Sequence, residues 1–375
     1  MSTIPEMLKF ANNSFEKAEE IAKDFIDKGN KGVILDLQLL LSAQGKFDEA
    51  KSWEVEADKY LADDKRRDFN KGWQKLRDGK FQEGMKLLYN SRQQRLFGSP
   101  ALQTKKPMWN GKQDLKNKTI ILFGEGGLGD EIINIRFARN IKDLGAKIVV
   151  AACSESLMDT FRRVDGVDLV INRNYSTTIS HDYWVPCMSA PYFCNINYET
   201  LSGTKYMEPS NLEGWNCLLK SKDKLKVGIR WAGNPKFEHE QFRKFSTKHI
   251  FDLANVKNVQ LYSFQRDNDL EKLPENIIDL APLIQTWEDT SCALSKMDLV
   301  ITSCTSIAHL SAAIGKTTWI IVPIMPYYLW AIDGNTSKWY NSVKLFRQTK
   351  FGNWEEPFKN ITNELTNRSK LIFSN

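Results

Sequence analysis

The chain has 375 residues, 42% of them apolar and 26% charged, with a net charge of +6. That length implies more than one domain with real cores, and the composition excludes fibrous and disordered classes. The charge is mild and interleaved: residues 1–97 carry 18 Lys/Arg against 17 Asp/Glu, which argues against an N-terminal nucleic-acid clamp.

Taken in chain order, the first hundred residues read as all-helical. Gly45-Lys-Phe-Asp-Glu-Ala50 recurs as Gly79-Lys-Phe-Gln-Glu-Gly84, and Phe15-Glu-Lys-Ala18 is a looser earlier copy. The 34-residue offset and the turn composition resemble the tetratricopeptide repeat, a stacked pair of antiparallel helices. An ordinary helical bundle with two similar turns is the alternative. A linker rich in Gly and Pro follows from about 98 to 115.

Thr119–Phe123 is an apolar, β-branched run that stops at Gly124, Gly126, Gly127 and Gly129. Asp130 follows, then Ile132, Ile133, Ile135 and Phe137 at helical spacing. This is strand, tight turn, helix, a unit whose turn offers backbone N–H groups to ligands. Strands at 146–152 and 167–171, with a helix over 154–164 between them, extend it into a parallel sheet; residues 175–222 are less regular. A second series begins at Lys226. Strands are expected at 227–231, 259–264, 298–303 and 317–322, helices at 246–254, 286–296 and 305–315, and a terminal helix over 354–373. The expected fold is α/β: two Rossmann-like domains, 98–222 and 223–375, behind a helical module, 1–97.

Three clusters carry chemistry. Gly124-x-Gly126-x-x-Gly129 satisfies the dinucleotide fingerprint, with Glu155 available as a ribose acid, so an NAD-dependent oxidoreductase stands as one reading. Asp130 at the mouth of the turn fits phosphate poorly and fits proton removal better. In ITSCTSIAHLSA (301–312), Thr305, Ser306 and His309 open a helix after a buried strand: helix dipole, two hydroxyls and one titratable donor suit a diphosphate. The alternative is a helix cap with a core histidine. In GIRWAGNPKFEHEQFRK (228–244), Asn234, His239, Arg243 and Lys244 lie on a polar loop, where the cations either meet anionic oxygens or are simply solvated. Gln265 falls at the same carboxyl edge of the sheet.

Jointly, GEGGLGDEI (124–132), VGIRWAGNP (227–235), LYSFQ (261–265), DLVITSCTSIAHLSAAIGK (298–316) and SKWYNSVKLFRQ (337–348) resemble the heptosyltransferase-like family of GT-B glycosyltransferases, in the form carrying N-terminal tetratricopeptide repeats. The resemblance implies two facing Rossmann domains and sugar transfer from a nucleotide diphosphate sugar to a hydroxyl, with inversion and no metal or other cofactor. It implies Asp130 as general base, with Gly126, Gly127 and Gly129 forming the acceptor-side loop. It further implies Thr305, Ser306, His309 and Arg243 or Lys244 around the donor diphosphate, with Asn234 and Gln265 nearby. Cys304 stands where heptosyltransferases carry an aspartate, which shifts expectation toward another sugar. The acceptor stays open between a glycan, a protein side chain and a modified nucleobase. Besides NAD chemistry, a non-catalytic binding module whose repeats recruit a protein partner is a further alternative. Trp231 and Trp339 either line the cleft or pack in the core.

Six cysteines without CxxC pairing read as reduced thiols. The window 319–332 is broken by Pro323 and Pro326 and is too short to span a bilayer, and MSTIPEMLKF lacks a signal pattern. A soluble, cytoplasmic chain without a membrane span is expected.

Overall fold

The computed structural model describes residues 14–93, 102–218, 223–234, 240–266 and 272–373. His239 and residues 98–101 of the linker lie outside the described residues. The chain divides into two compact units: residues 1–97 with 322–333 and 347–353, and residues 98–321 with 334–346 and 354–375. The sequence assigns 322–333 and 347–353 to the C-terminal domain; by contact they group with the helices.

In the first unit, six α-helices are described: α1 (Phe15–Asp27), α2 (Ile34–Ala43), α3 (Phe47–Ser52), α4 (Glu54–Tyr60), α5 (Lys65–Arg77) and α6 (Phe81–Gln93). Ser14 caps α1 by accepting from Lys17 N at 3.3 Å, and Asp64 caps α5 by accepting from Arg66 N at 3.0 Å. The repeated hexapeptides form the same turn. Gly45 and Gly79 have φ of 77° and 78°. The next residue's N–H reaches back five positions in each case, Lys46 to the Leu41 carbonyl at 2.9 Å and Lys80 to the Lys75 carbonyl at 2.8 Å. This is Schellman closure, which a glycine permits at no steric cost. The grafted segments pack into this unit through aromatics: Trp73 lies 6.0 Å from Tyr327 and 6.5 Å from Tyr328, and Phe15 lies edge-on to Phe351 at 4.5 Å.

The second unit holds two sheets. The first is built from β1 (Thr119–Phe123), β2 (Ile148–Cys153), β3 (Leu169–Asn172) and β4 (Tyr183–Pro186) in the order β3-β2-β1-β4, all parallel. Its connecting helices include α7 (Leu128–Asn134), α8 (Phe137–Asp143) and α9 (Met158–Phe161), then α10 (Ala190–Phe193) and α11 (Glu213–Leu218). The second sheet has the order β10-β9-β8-β5-β6-β7, from β5 (Leu225–Arg230), β6 (Val259–Ser263), β7 (Ile277–Asp279), β8 (Leu299–Ser303), β9 (Thr318–Val322) and β10 (Val343–Arg347). The registers of β5 with β6 and β8, β6 with β7, and β8 with β9 are parallel. Its helices are α12 (Glu240–Arg243), α13 (Thr247–Phe251), α14 (Trp287–Ser295), α15 (Ser306–Ala313) and α16 (Glu355–Phe373).

The expected helices at 154–164 and 246–254 are shorter: each is one short α-helix flanked by a 3-10 turn. For the first, Thr160 and Arg163 are drawn to Glu288 on α14, at 2.7 Å and 2.6 Å, a tertiary pull that local periodicity does not encode. β4 lies in the stretch read as irregular, because four residues ending in Pro186 carry no period. Trp231 is buried against Phe251 and Trp339 against Phe137, so both are packing residues. Among the described residues no helix is long and apolar enough to cross a membrane, and no group of three or more His, Cys, Asp or Glu could hold a metal ion.

Candidate active site

Both sheets reverse direction of growth at a central strand. In the first, β1 lies between β2 and β4; in the second, β5 lies between β6 and β8. Such switch points open a crevice at the carboxyl edge, where open α/β sheets take ligands. The glycine turn follows β1, the 231–234 loop follows β5, Gln265 follows β6, and Thr305–Ser306 follow β8.

The turn after β1 is shaped by its own carboxylate. Asp130 is the third residue of α7, and its Oδ2 accepts from Gly127 N at 2.8 Å. A carboxylate there satisfies a free N–H and the helix dipole. Gly126 has φ of 71°, and a Cβ there would stand 2.6 Å from Asp130 Oδ2, so the turn excludes any side chain at that position. Asp130 is half-buried and reachable from solvent, while Gly126 and Gly127 are exposed. Asn134 Nδ2 donates to the Asp130 carbonyl at 2.8 Å and braces the helix behind it.

Glu131, which the sequence reading passed over, is buried beneath the turn. It accepts from Ser154 N at 2.7 Å and Ser154 Oγ at 2.6 Å and pairs with Arg173 at 2.9 Å. Burial pushes its carboxyl above the ordinary value. It faces the sheet, so of the two adjacent carboxylates only Asp130 opens outward.

The start of α15 packs against this turn. A Cβ on Gly129 would lie 3.4 Å from His309 Cδ2 and 3.8 Å from Ser306 N. Thr305 is the N-cap residue, with extended backbone, yet its side chain caps nothing; its Oγ1 lies 3.4 Å from Thr302 Oγ1. The helix N-terminal N–H groups therefore have no side-chain cap from Thr305. His309 is buried one turn in. Burial, then the nearby Arg136 and Arg243 charges, hold its imidazole down at about 3. Burial thus favours the neutral imidazole, in which one ring nitrogen donates and the other accepts.

Arg243 donates to the Cys304 carbonyl, beside the start of α15, and pairs with Glu240. Glu240 in turn accepts from Gly233 N at 3.0 Å, so α12 ties the 231–234 loop to the end of β8. Lys244 is exposed, and the fold brings Arg243 rather than Lys244 to the helix start. Gln265 is buried; its Oε1 accepts from Trp231 N at 3.3 Å and Ala232 N at 3.0 Å, fixing the loop backbone. Its Nε2 is buried without a hydrogen-bond partner. Asn234 is exposed at the last described position of that loop. Gly129, the residue before Asp130, thus approaches Ser306 and His309, and Arg243 reaches the Cys304 carbonyl just before Thr305, whereas Gln265 fixes the 231–234 loop.

No family model matches the chain. It is 23% identical over 327 residues to Protein FlbA of Caulobacter vibrioides, across 76% of this chain and 52% of that protein, so it spans about half the length of the curated relative it matches. Among solved structures it is similar to a family 9 glycosyl transferase from Veillonella parvula (11% identity, 69% of this chain and 98% of that one, TM-score 0.49). It is also similar to E. coli ADP-heptose LPS heptosyltransferase II (11%, 67% and 99%, TM-score 0.46). A third is the iron-containing dodecameric glycosyltransferase TibC of enterotoxigenic E. coli (11%, 70% and 76%, TM-score 0.44).

Proposed function

We propose that the chain is a glycosyltransferase that moves a sugar from a nucleotide diphosphate sugar to an acceptor hydroxyl, by one displacement with inversion and without a metal. The observation that supports this reading is the approach of Gly129, the residue before Asp130, to Ser306 and His309 at the start of α15. Asp130 takes the hydroxyl proton as that oxygen bonds to the anomeric carbon. The bond from that carbon to the diphosphate oxygen breaks, and the nucleoside diphosphate leaves with the electron pair. The N-terminus of α15, Thr305, Ser306 and His309 receive the growing negative charge, with Arg243 beside them. A single carboxylate acting on the acceptor gives one displacement and hence inversion. Capture of the Gly127 N–H by Asp130 argues against the NAD reading, since that N–H is already spent.

In this reading the two sheets face each other in a GT-B arrangement. The helical unit is a pair of tetratricopeptide-like repeats that braces residues 322–333 and 347–353, and its outer faces are available to a protein partner. The enzyme works in the cytoplasm, and its acceptor is a glycan, a protein side chain or a modified nucleobase. The test is a thermal-shift panel of ADP-, GDP-, UDP- and CMP-sugars, their free nucleotides, and NADH. One nucleotide sugar and its free nucleotide are expected to raise the melting temperature selectively, as ligands of the native state do. Stabilisation by NADH alone, or by no nucleotide, would sink the proposal.

A further inference from the structure

Arg136 sits at the far end of α7 from Asp130, and its surroundings are unusual for a guanidinium. It is 5% exposed, and among the described residues no carboxylate pairs with it. A buried charge without a counter-ion is costly unless dipoles and π faces replace water. Arg136 is held in that way. Nε donates to the Ile133 carbonyl at 2.9 Å; Nη1 donates to the Trp339 carbonyl at 2.6 Å and reaches the Ser202 carbonyl at 3.4 Å. The guanidinium carbon lies 4.3 Å from the Tyr206 ring centre and 4.2 Å from that of Tyr340. Three chain segments converge on one side chain: α7, residues 202–206 and residues 339–340.

Two of these segments lead to the site. α7 carries Asp130 in its first turn. Tyr340 carries a hydroxyl 3.4 Å from His309 Nδ1, and Tyr206, whose own hydroxyl donates to the Ile132 carbonyl at 2.7 Å, lies 3.4 Å from the Tyr340 hydroxyl. We propose that Arg136 is a positioning residue: by clamping Tyr340 between α7 and the 202–206 segment, it fixes the orientation and tautomer of His309 relative to the carboxylate of Asp130. A lone aliphatic residue would fill the same space but would release the Trp339 carbonyl and both tyrosine rings. The inference rests on the transferase reading for its kinetic consequence and not for its structural one.

The test uses the full chain with Arg136→Lys, Arg136→Met, Tyr340→Phe and the double variant Arg136→Lys/Tyr340→Phe. The substrate is whichever nucleotide sugar gives the largest thermal shift, followed by release of nucleoside diphosphate during slow transfer to water. Misplacing a reacting group by a fraction of an ångström costs roughly tenfold or more in turnover. Each single variant should show that loss with KM for the nucleotide sugar held within about threefold. The double variant should be no worse than the poorer single, because both act through one contact. A multiplicative double loss, or turnover within about twofold of wild type in Arg136→Lys, overturns the proposal.

The second readout needs no turnover. The imidazole ¹⁵N resonances of His309, assigned by their loss in His309→Gln, should report one neutral tautomer in wild type and a mixture in Arg136→Lys, Arg136→Met and Tyr340→Phe. A His309 signal unchanged in both Arg136 variants overturns the positioning role whatever the kinetics. Should Arg136→Met fail to fold, Arg136→Lys, which keeps the charge and loses the fork, carries the same decision. If the wild type binds and turns over no nucleotide sugar, the transferase reading fails while the ¹⁵N result still decides the role of Arg136.

Discussion

The helix cap that Asp130 makes and the general-base role proposed for it are separated by two substitutions. Asp130 Oδ2 accepts from Gly127 N at 2.8 Å, closing the first turn of α7. Asparagine keeps a side-chain oxygen able to accept that bond, whereas alanine removes it. Loss of such a cap costs about 1 kcal/mol, and loss of a negative charge at a helix N-terminus costs a few tenths more. For a unit of this size that is a drop of about 2–4 °C in melting temperature for Asp130→Ala and about 1 °C or less for Asp130→Asn. The catalytic effect should not follow the same order. A general base contributes about 10²–10⁴ in rate, and neither variant retains basicity, so both should lose at least two decades of turnover. Nucleotide affinity should stay within about threefold, because the proposed diphosphate site is at α15 and not at this carboxylate. The assay pairs melting temperature with and without the selected nucleotide against initial rates of nucleoside diphosphate release. Asp130→Asn turning over within about fivefold of wild type would remove the carboxylate from the chemistry. Equal destabilisation by both substitutions would refute the cap argument.

The pH dependence of stability isolates His309. Its folded value of about 3 lies below its ordinary 6.5, so the unfolded chain binds more protons between those limits. Its contribution is therefore complete above pH 6.5 and is lost as pH falls toward 3, at a little over 1 kcal/mol per pH unit at most. Urea midpoints from pH 7 to 4 should fall more steeply for wild type than for His309→Gln, and parallel curves would contradict its buried neutral state. Comparing the two chains also cancels Asp36, whose carboxyl burial raises to about 6, with the opposite slope. Arg243→Met should weaken binding of the selected nucleotide by about tenfold, since its charge lies at the start of α15, while Lys244→Ala should change it by less than twofold. Isothermal titration gives both numbers, and a larger effect at Lys244 would reverse the assignment. Trp73→Ala should destabilise the helical unit by about 2–4 kcal/mol, from lost burial and the two edge-on contacts to Tyr327 and Tyr328. Unchanged thermal denaturation would show that residues 322–333 do not depend on the helices for their packing.

The sequence by itself determined the local units. β-branched runs wrote most of the strands of both sheets, and Gly45 and Gly79 wrote two identical helix ends, because each depends on a residue's own backbone preferences and the period of its neighbours. It also placed the glycine turn, Asp130 and the Thr305–Ser306 helix start at strand ends, which chain order alone assigns to the carboxyl edge. Only the tertiary structure decided what those ends do together. The choice of Arg243 over Lys244 depends on which side chain reaches the Cys304 carbonyl. The neutrality of His309 comes from burial and from Arg136, 173 positions away in the chain. The Arg136 clamp draws on residues near 133, 202, 206, 339 and 340 and has no local signature at all. Charge state and orientation are set by the field and packing of groups distant in sequence, so they become fixed only when the chain has closed around them.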